Sequence, residues 1–224
     1  MKLLCQCKTK DVYALEDGNY LLKFKELAGD EGAPAPGADA AGSSAQGMGC
    51  IRLLLSEYFF RCVDEAGYPT HFISADIEKS EMTVLPTEKP GKGLEVICRY
   101  RAVGSFIKRY GGYVREGQAL DALFEVNLKD EERGNPAITR ETLDMLGIIS
   151  GDEYNTLKFL TKRISGVIRD ELESKELELN DVTMEFGYYE EDFILIGEIS
   201  GENLRVCKEG KLLNTFDLAA IMLD

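Results

Sequence analysis

The sequence is most informative between residues 99 and 109, which read Arg99-Tyr100-Arg101-Ala102-Val103-Gly104-Ser105-Phe106-Ile107-Lys108-Arg109. Four basic side chains within these 11 positions flank a Gly-Ser pair, where a predicted strand passes into a predicted helix. Backbone N–H groups at a helix start and nearby basic side chains together suit a phosphate group. The stretch therefore predicts an anion site, and its alternative interpretation is a solvated basic face.

The patterns on either side of this stretch predict an α+β chain. Alternating apolar residues predict strands, and apolar residues three and four apart predict helices. The predicted elements are a hairpin within residues 1–25 that turns at Asp17-Gly18, a helix over 51–66, strands at 82–85 and 94–101, a short helix over 105–111, a long helix opened by a capping box of Ser150 and Glu153, and a hairpin over 177–199. We predict two lobes, a β-rich lobe over residues 1–98 and an α+β lobe over residues 99–224.

Residues 28–49 differ in composition from the rest of the chain. Seventeen of these 22 positions are Ala, Gly, Pro or Ser, and none is Lys or Arg. Such a segment has too little apolar surface to offset the entropy lost on ordering. It is predicted to be a flexible loop within the first lobe.

Composition excludes several classes of protein. The 224 residues carry 26 Lys and Arg against 40 Asp and Glu, for a net charge of −14. Such a surface repels nucleic-acid phosphates and anionic lipids, so neither partner is expected. No apolar run approaches the roughly 18 residues that span a bilayer, and residues 1–8 lack the apolar region of a signal peptide. A cytoplasmic protein is expected.

The six cysteines and the single His71 do not have the spacing of a zinc site. Cys5 and Cys7 alternate along a predicted strand and are expected on one side of it. Free, reduced thiols fit a cytoplasmic protein. One histidine excludes mechanisms that need two, and His71 is interpreted as structural.

Three further clusters carry polar chemistry. Lys8 and Lys10 are predicted to share one strand face, an arrangement that otherwise protects an edge strand from aggregation. Asp181 and Glu185 are also an even number of residues apart on a predicted strand, so they could hold a cation or could form an ordinary solvent face. Residues 198–205 form a polar turn after a buried strand.

Together these clusters resemble the SAICAR synthetase family of purine biosynthesis. The resemblance extends from Lys8 to Arg205, and residues 99–111 are its most specific part. The other matching motifs, in order and spacing, are Phe124-Glu125, Lys129-Asp130, Asn135-Pro136, Met184-Glu185-Phe186-Gly187, and Glu198 with Ser200 and Arg205.

The resemblance implies a fold with a β-rich N-terminal lobe over an α+β C-terminal lobe and a nucleotide cleft between them. It implies an ATP-dependent ligase that joins L-aspartate to carboxyaminoimidazole ribotide through an acyl phosphate. Catalysis of that kind depends on positioning, cations and metal more than on covalent help. ATP and Mg²⁺ are the implied cofactors, small molecules are the implied partners, and a homodimer stays open.

The resemblance also implies roles for individual residues. Lys8, Lys10 and Lys129 would bind the nucleotide, and Glu185 would be a magnesium ligand. Lys8, Lys10, Arg99 and Asp181 would be catalytic. The residues implied for the ribotide are Arg99, Ser105, Lys108, Arg109, Asp181 and Arg205.

The sequence departs from the family pattern at several positions. The Asp expected as second magnesium ligand is Gly197, and Glu198 is not expected to replace it because neighbouring strand residues face opposite ways. In the first lobe a lysine is replaced by Met48, and paired asparagines are replaced by Arg52 and Leu53. The Asp of an Asp-Pro pair is Asn135, and the chain ends at Asp224 without the family's usual C-terminal helical segment.

These departures leave two alternatives to the usual activity. One is a divergent paralogue that acts on another carboxylate. The other is a non-catalytic protein that binds a nucleotide or ribotide.

Overall fold

A computed structural model describes residues 1–26 and 47–224. The described residues form eleven strands, five α-helices and one turn of 3-10 helix at Glu131–Arg133. The strands are β1 (Lys2–Gln6), β2 (Lys10–Ala14), β3 (Tyr20–Phe24), β4 (Phe72–Asp76), β5 (Glu81–Val84), β6 (Leu94–Arg101), β7 (Ala119–Leu128), β8 (Glu178–Tyr189), β9 (Asp192–Ile196), β10 (Leu204–Lys208) and β11 (Lys211–Leu212). The helices are α1 (Met48–Glu65), α2 (Ser105–Tyr110), α3 (Arg140–Met145), α4 (Gly151–Ser174) and α5 (Thr215–Met222).

The first lobe is a five-stranded antiparallel sheet in the order β1-β2-β3-β5-β4. The predicted hairpin pairs β2 with β3, and Gly18 has the positive φ of 91° that its turn requires. The prediction of Lys8 and Lys10 on one strand face is wrong. The N–H of Cys7 donates to the carbonyl of Lys10 at 2.9 Å, so Lys8 lies in the turn before β2 and only Lys10 lies on a strand.

The predicted loop over 28–49 lies mostly outside the described residues. Its last two residues, Met48 and Gly49, are instead the first residues of α1, so the predicted helix begins three residues early. Helix α1 packs against β3 and β4 on one side and against α4 and α5 on the other. It buries Leu53, Phe59 and Phe60 completely, which joins the two lobes in one hydrophobic core.

The second lobe is a six-stranded sheet in the order β11-β10-β8-β6-β7, with β9 also paired to β8. The twelve-residue strand β8 is its centre, because it pairs with β6, β9 and β10 along different parts of its length. Helix α4 covers this sheet. It begins at the predicted capping box, in which Ser150 and Glu153 each bond the other's backbone N–H.

The boundary between residues 98 and 99 needs correction. It falls inside β6, which belongs to the second sheet over its whole length, because β6 pairs with β7 on one side and β8 on the other. Along the chain, the last strand of the first sheet is β5 and the first strand of the second sheet is β6, so the chain passes between the lobes within residues 85–93. The α+β, two-lobed prediction is otherwise confirmed. Among the described helices, none combines the length and the apolar character that crossing a membrane would require.

Candidate functional site

A cavity of about 460 Å³ opens on the second sheet between β6, β8 and the segment after β7. Its lining combines basic, acidic and amide side chains. The lining residues are Glu95, Ile97, Arg99, Ser105, Arg109, Asn127, Gly134, Asn135, Pro136, Ala137, Asp181, Thr183 and Arg205. Five of the six residues implied for the ribotide are therefore brought to one cavity.

Arg99 is the centre of the basic side of this cavity. Its side chain is only 3% exposed and has three partners. Nη1 donates to Asp181 Oδ2 at 3.1 Å, Nη2 donates to Ser105 Oγ at 3.0 Å, and Nε donates to Glu125. Strand pairing explains the contact between Arg99 and Asp181, since Arg99 on β6 lies opposite Asp181 on β8. The guanidinium is held rigidly at the cavity wall.

Arg205 approaches the same carboxylate from the other neighbour of β8. Its Nη1 donates to Asp181 Oδ2 at 2.6 Å, and the side chain is 35% exposed. Asp181 thus receives two guanidinium groups, one buried and one half-exposed. An anion entering the cavity would meet the free edge of Arg205 beside the backbone that starts α2.

Two other predicted residues differ in their placement. Arg109 lines the cavity and its Nη2 donates to Glu125 Oε1 at 2.5 Å, so Glu125 joins Arg99 to Arg109. Lys108 lies exposed on α2 and is not among the lining residues, so the structure does not bring it to the cavity.

Glu185 on β8 forms a second cluster with two lysines. Its Oε1 accepts from Lys129 Nζ at 2.5 Å and its Oε2 accepts from Lys89 Nζ at 3.2 Å. Burial alone would raise the pKa of Glu185, but the ammonium groups of Lys89 and Lys129 outweigh it and lower that pKa to about 2. The carboxylate is therefore ionised at neutral pH, as a magnesium ligand must be.

This pKa predicts a specific dependence of stability on pH. Because the folded pKa is depressed from 4.5 to about 2, the stabilisation is fully present above pH 4.5 and is lost as pH falls toward 2. The full shift corresponds to roughly 3 kcal/mol. Urea unfolding between about pH 5 and about pH 3 should show a smaller loss of stability for Glu185→Gln than for the parent. Glu191→Gln, in an exposed turn, should behave as the parent does; equal pH slopes for all three proteins would contradict the prediction.

Lys10 spans the two lobes. Its Nζ lies 2.5 Å from Glu198 Oε2, which also accepts from Thr9 Oγ1 at 3.0 Å. Ser200 Oγ donates to the other carboxylate oxygen at 2.9 Å. Burial alone would raise the pKa of Glu198, but Lys10 and these hydrogen bonds lower it. A lysine of the first sheet is thus held against a carboxylate that follows β9 of the second lobe.

Gly197 separates the Glu185 and Glu198 clusters, and its backbone explains its identity. Its φ is +89°, a region that favours glycine. A Cβ here would lie 3.7 Å from Glu185 Cβ, which is ordinary contact, so close approach by a bulky neighbour is not the reason for glycine. The ring of the buried His71 hydrogen-bonds to the backbone of Gly197. The position follows the end of β9, so the strand alternation expected for Glu198 does not apply there.

The carboxylates of this region suit only one kind of magnesium site, in which a single protein carboxylate binds the ion together with waters and phosphates. Among residues 1–26 and 47–224 no group of three or more acidic, histidine or cysteine side chains could hold a metal ion. Magnesium is commonly held by one or two carboxylates together with waters and substrate phosphates. Glu185 can supply one such carboxylate once a cation displaces Lys129 or Lys89 from it, and Glu198 is likewise held by Lys10, Thr9 and Ser200.

Sequence reasoning assigned no role to several residues of these clusters. They are Thr9, Lys89, Glu95, Glu125, Asn127, Asn135, Thr183 and Glu202. Even spacing along β6, β7 and β8 could have indicated the cavity residues, since Glu95, Ile97 and Arg99 alternate, as do Glu125 and Asn127. Arg52, noted as a departure, is buried on α1, and its Nη2 donates to Glu202 Oε1 at 2.6 Å.

Comparison with known proteins identifies the family. The family model for SAICAR synthetase matches residues 3–217. A phosphoribosylaminoimidazole-succinocarboxamide synthase of Clostridium tetani is 50% identical over 227 residues, and the alignment covers 100% of this chain and 100% of that protein. The corresponding protein of Finegoldia magna is 30% identical, with 92% of this chain and 85% of that protein covered. A solved structure of a type-2 SAICAR synthetase in complex with ADP has a TM-score of 0.81 at 26% identity, covering 95% of this chain and 88% of that one. The chain therefore belongs to the SAICAR synthetase family.

Proposed function

We propose that this protein is an ATP-dependent ligase of purine biosynthesis that joins L-aspartate to carboxyaminoimidazole ribotide through an acyl phosphate. The observation that carries the proposal is the cavity lined by Arg99, Asp181 and Arg205, which lies on the same sheet as the Glu185 cluster. A relative of 50% identity carries the name of this activity, and a structural neighbour was solved with ADP.

The ribotide is assigned to the basic side of the cavity. Arg99 and Arg205 would face its anionic groups, with Ser105 and the N–H groups at the start of α2 beside them. Asp181 holds both guanidinium groups in place. Because these donors are already oriented, little ordering entropy is lost when the anion binds.

The nucleotide is assigned to the cleft between the sheets. Lys8 and Lys10 from the first lobe and Lys129 from the second would neutralise the phosphates, and Glu185 would hold Mg²⁺. Bound there, the metal would screen the negative charge of the reacting phosphates. The chain's own contribution would be to hold Lys129 and Arg99 near each other, through Glu185 and Asp181 on the same strand β8.

The direct test measures binding and chemistry separately. Calorimetry with ATP–Mg and with carboxyaminoimidazole ribotide reports whether each ligand binds. A phosphate-release assay then asks whether turnover requires L-aspartate. Turnover only with all three substrates supports the proposal. Binding without turnover would favour the non-catalytic alternative, and turnover with a different carboxylate would favour the paralogue.

Gly197→Asp tests how far the metal site is limited by its single carboxylate. Asp would place a second carboxylate near Glu185, because a Cβ at position 197 would lie 3.9 Å from Glu185 Oε1. We expect the magnesium concentration needed for half-maximal phosphate release to fall, while the left-handed backbone costs about 1 kcal/mol of stability. Gly197→Ala is the matched control, since it carries the same backbone strain without the ligand. A parent enzyme already saturated at sub-millimolar magnesium would refute a weak metal site.

The proposal also covers the cellular location, the partners and the assembly of the enzyme. We propose a cytoplasmic enzyme whose partners are small molecules, without nucleic-acid or membrane partners, and a homodimer as its assembly. The net charge of −14 supports the exclusion of polyanionic partners. Sedimentation equilibrium of the purified chain tests the dimer.

A further inference from the structure

Cys5 and Cys7 form a pair of thiols next to the lysines of the first lobe. Their Sγ atoms lie 3.1 Å apart. This is longer than a disulfide bond of about 2.05 Å but close enough for the two sulfurs to react after a small movement. Cys5 is exposed and Cys7 is half-buried, so a dissolved oxidant can reach the pair through Cys5.

Cys7 also begins the turn that carries Lys8 and leads into Lys10 on β2. Its N–H donates to the carbonyl of Lys10 at 2.9 Å, and its own carbonyl accepts from Lys25 Nζ at 2.8 Å. Burial and the adjacent Cys5 thiol raise the pKa of Cys7, while the nearby ammonium groups of Lys10 and Lys89 act to lower it, so the Cys7 sulfur lies close to lysines of the cleft. A movement of Cys7 would therefore move the turn that contains Lys8, because the backbone of Cys7 is hydrogen-bonded to Lys10 and Lys25.

Joining the two sulfurs would strain this turn. Cys5 lies on β1 and Cys7 directly follows its end, and a chain extended over two residues separates Cα atoms by about 6.6 Å, near the upper limit of about 6.8 Å found in disulfides. Bond formation would therefore draw Cys5 and Cys7 together. The pairing of β1 with β2 is already irregular between Leu3 and Cys5, so β1 can adapt there. The adjacent turn would move with Cys7.

We propose that Cys5 and Cys7 are a redox modification site that reacts with a low-molecular-weight disulfide and, on oxidation, weakens nucleotide binding. The Cys5 thiolate attacks the small disulfide, forms a mixed disulfide and releases one thiol. The Cys7 thiolate then attacks the Cys5 sulfur, forms the Cys5–Cys7 bond and releases the second thiol. Two protein thiols are oxidised while one small disulfide is reduced to two thiols. Strained, exposed disulfides of this kind are readily reduced again.

The weakening of nucleotide binding rests on the proposed function, whereas the disulfide does not. Loss of the lysine geometry at this turn should remove at least one charge-assisted contact to a phosphate, which corresponds to about a tenfold loss of affinity. Cys5→Ser retains Cys7 and the turn but cannot form the bond. It should bind nucleotide as the reduced parent does and should be insensitive to oxidation.

The experiment equilibrates the full chain with mixtures of oxidised and reduced glutathione. Peptide mapping after alkylation reports the Cys5–Cys7 bond, and calorimetry with ADP–Mg reports affinity before oxidation, after oxidation and after re-reduction. We expect the bond in the parent only, with about a tenfold weaker affinity that reduction restores. Absence of the bond at oxidising ratios would overturn the modification site. The bond without a change in affinity, or an equal change in Cys5→Ser, would overturn its effect on the nucleotide. Failure of the reduced parent to bind ADP would instead contradict the proposed function together with the nucleotide effect, and mapping would still judge the bond itself.

Discussion

Replacing Arg99 with alanine is expected to weaken ribotide binding at least tenfold and to destabilise the protein by about 3–5 kcal/mol. The guanidinium is buried between Asp181, Glu125 and Ser105, so its loss removes one of the two cations that pair with each of these carboxylates and leaves a buried gap between them. Breaking a buried ion pair from one side costs more than the pair itself contributes. Calorimetric titration with the ribotide and urea unfolding measure the two effects.

Two further variants separate these effects. Arg99→Lys keeps the charge but loses the planar fork that reaches three partners, so it should fold and still bind the ribotide weakly. Arg101→Ala is the matched control on the same strand, because Arg101 is 39% exposed and pairs with the exposed Glu178. It should change stability by less than about 0.5 kcal/mol. Equal behaviour of Arg99→Ala and Arg101→Ala would refute the assignment of the cavity.

Gly104→Ala is expected to weaken ribotide binding by displacing Arg205. A Cβ at position 104 would lie 2.6 Å from Arg205 Nη1, which is too close for any contact. The flexible guanidinium would yield and lose its 2.6 Å bond to Asp181. The backbone at φ 55° and ψ −125° also disfavours alanine, at a cost of about 1–3 kcal/mol. Titration with the ribotide should therefore show a loss similar to that of Arg205→Ala.

Non-additivity identifies the cause of this loss. In an Arg205→Ala background the clash is gone, so adding Gly104→Ala should lower ribotide affinity little further. Gly112→Ala, beyond the end of α2, is the control, since a Cβ there meets nothing within 4 Å. Full additivity of the two substitutions would show that Gly104 acts through the backbone alone.

Local pattern determined much of the architecture. The Asp17-Gly18 turn and the Ser150–Glu153 capping box each depend on residues within a few positions, so the hairpin β2–β3 and the start of α4 could be predicted from sequence. The long apolar alternation of β8 and β9 has the same local origin. By contrast β4, β7 and β10, like the short helices α3 and α5, carry weak local signals, and they are stabilised by pairing with other strands, by packing of α3 against α4 and by packing of α5 against α1.

The candidate site divides in the same way. The chemical types at positions 99, 105, 181, 185 and 205 could be read from motifs, because those motifs are short and collinear. The residues that contact them could not be predicted from the sequence. Glu125 contacts Arg99 through strand pairing across 26 residues, and Lys10 contacts Glu198 across 188 residues, separations at which sequence periodicity carries no information.

The sequence by itself determined the family, the helix and hairpin starts and the charged residue types. Only the tertiary structure decided that Lys108 does not line the cavity, that Lys8 lies in a turn beside two thiols and that Gly197 has a left-handed backbone, because each depends on backbone angles and packing that residue type alone does not specify.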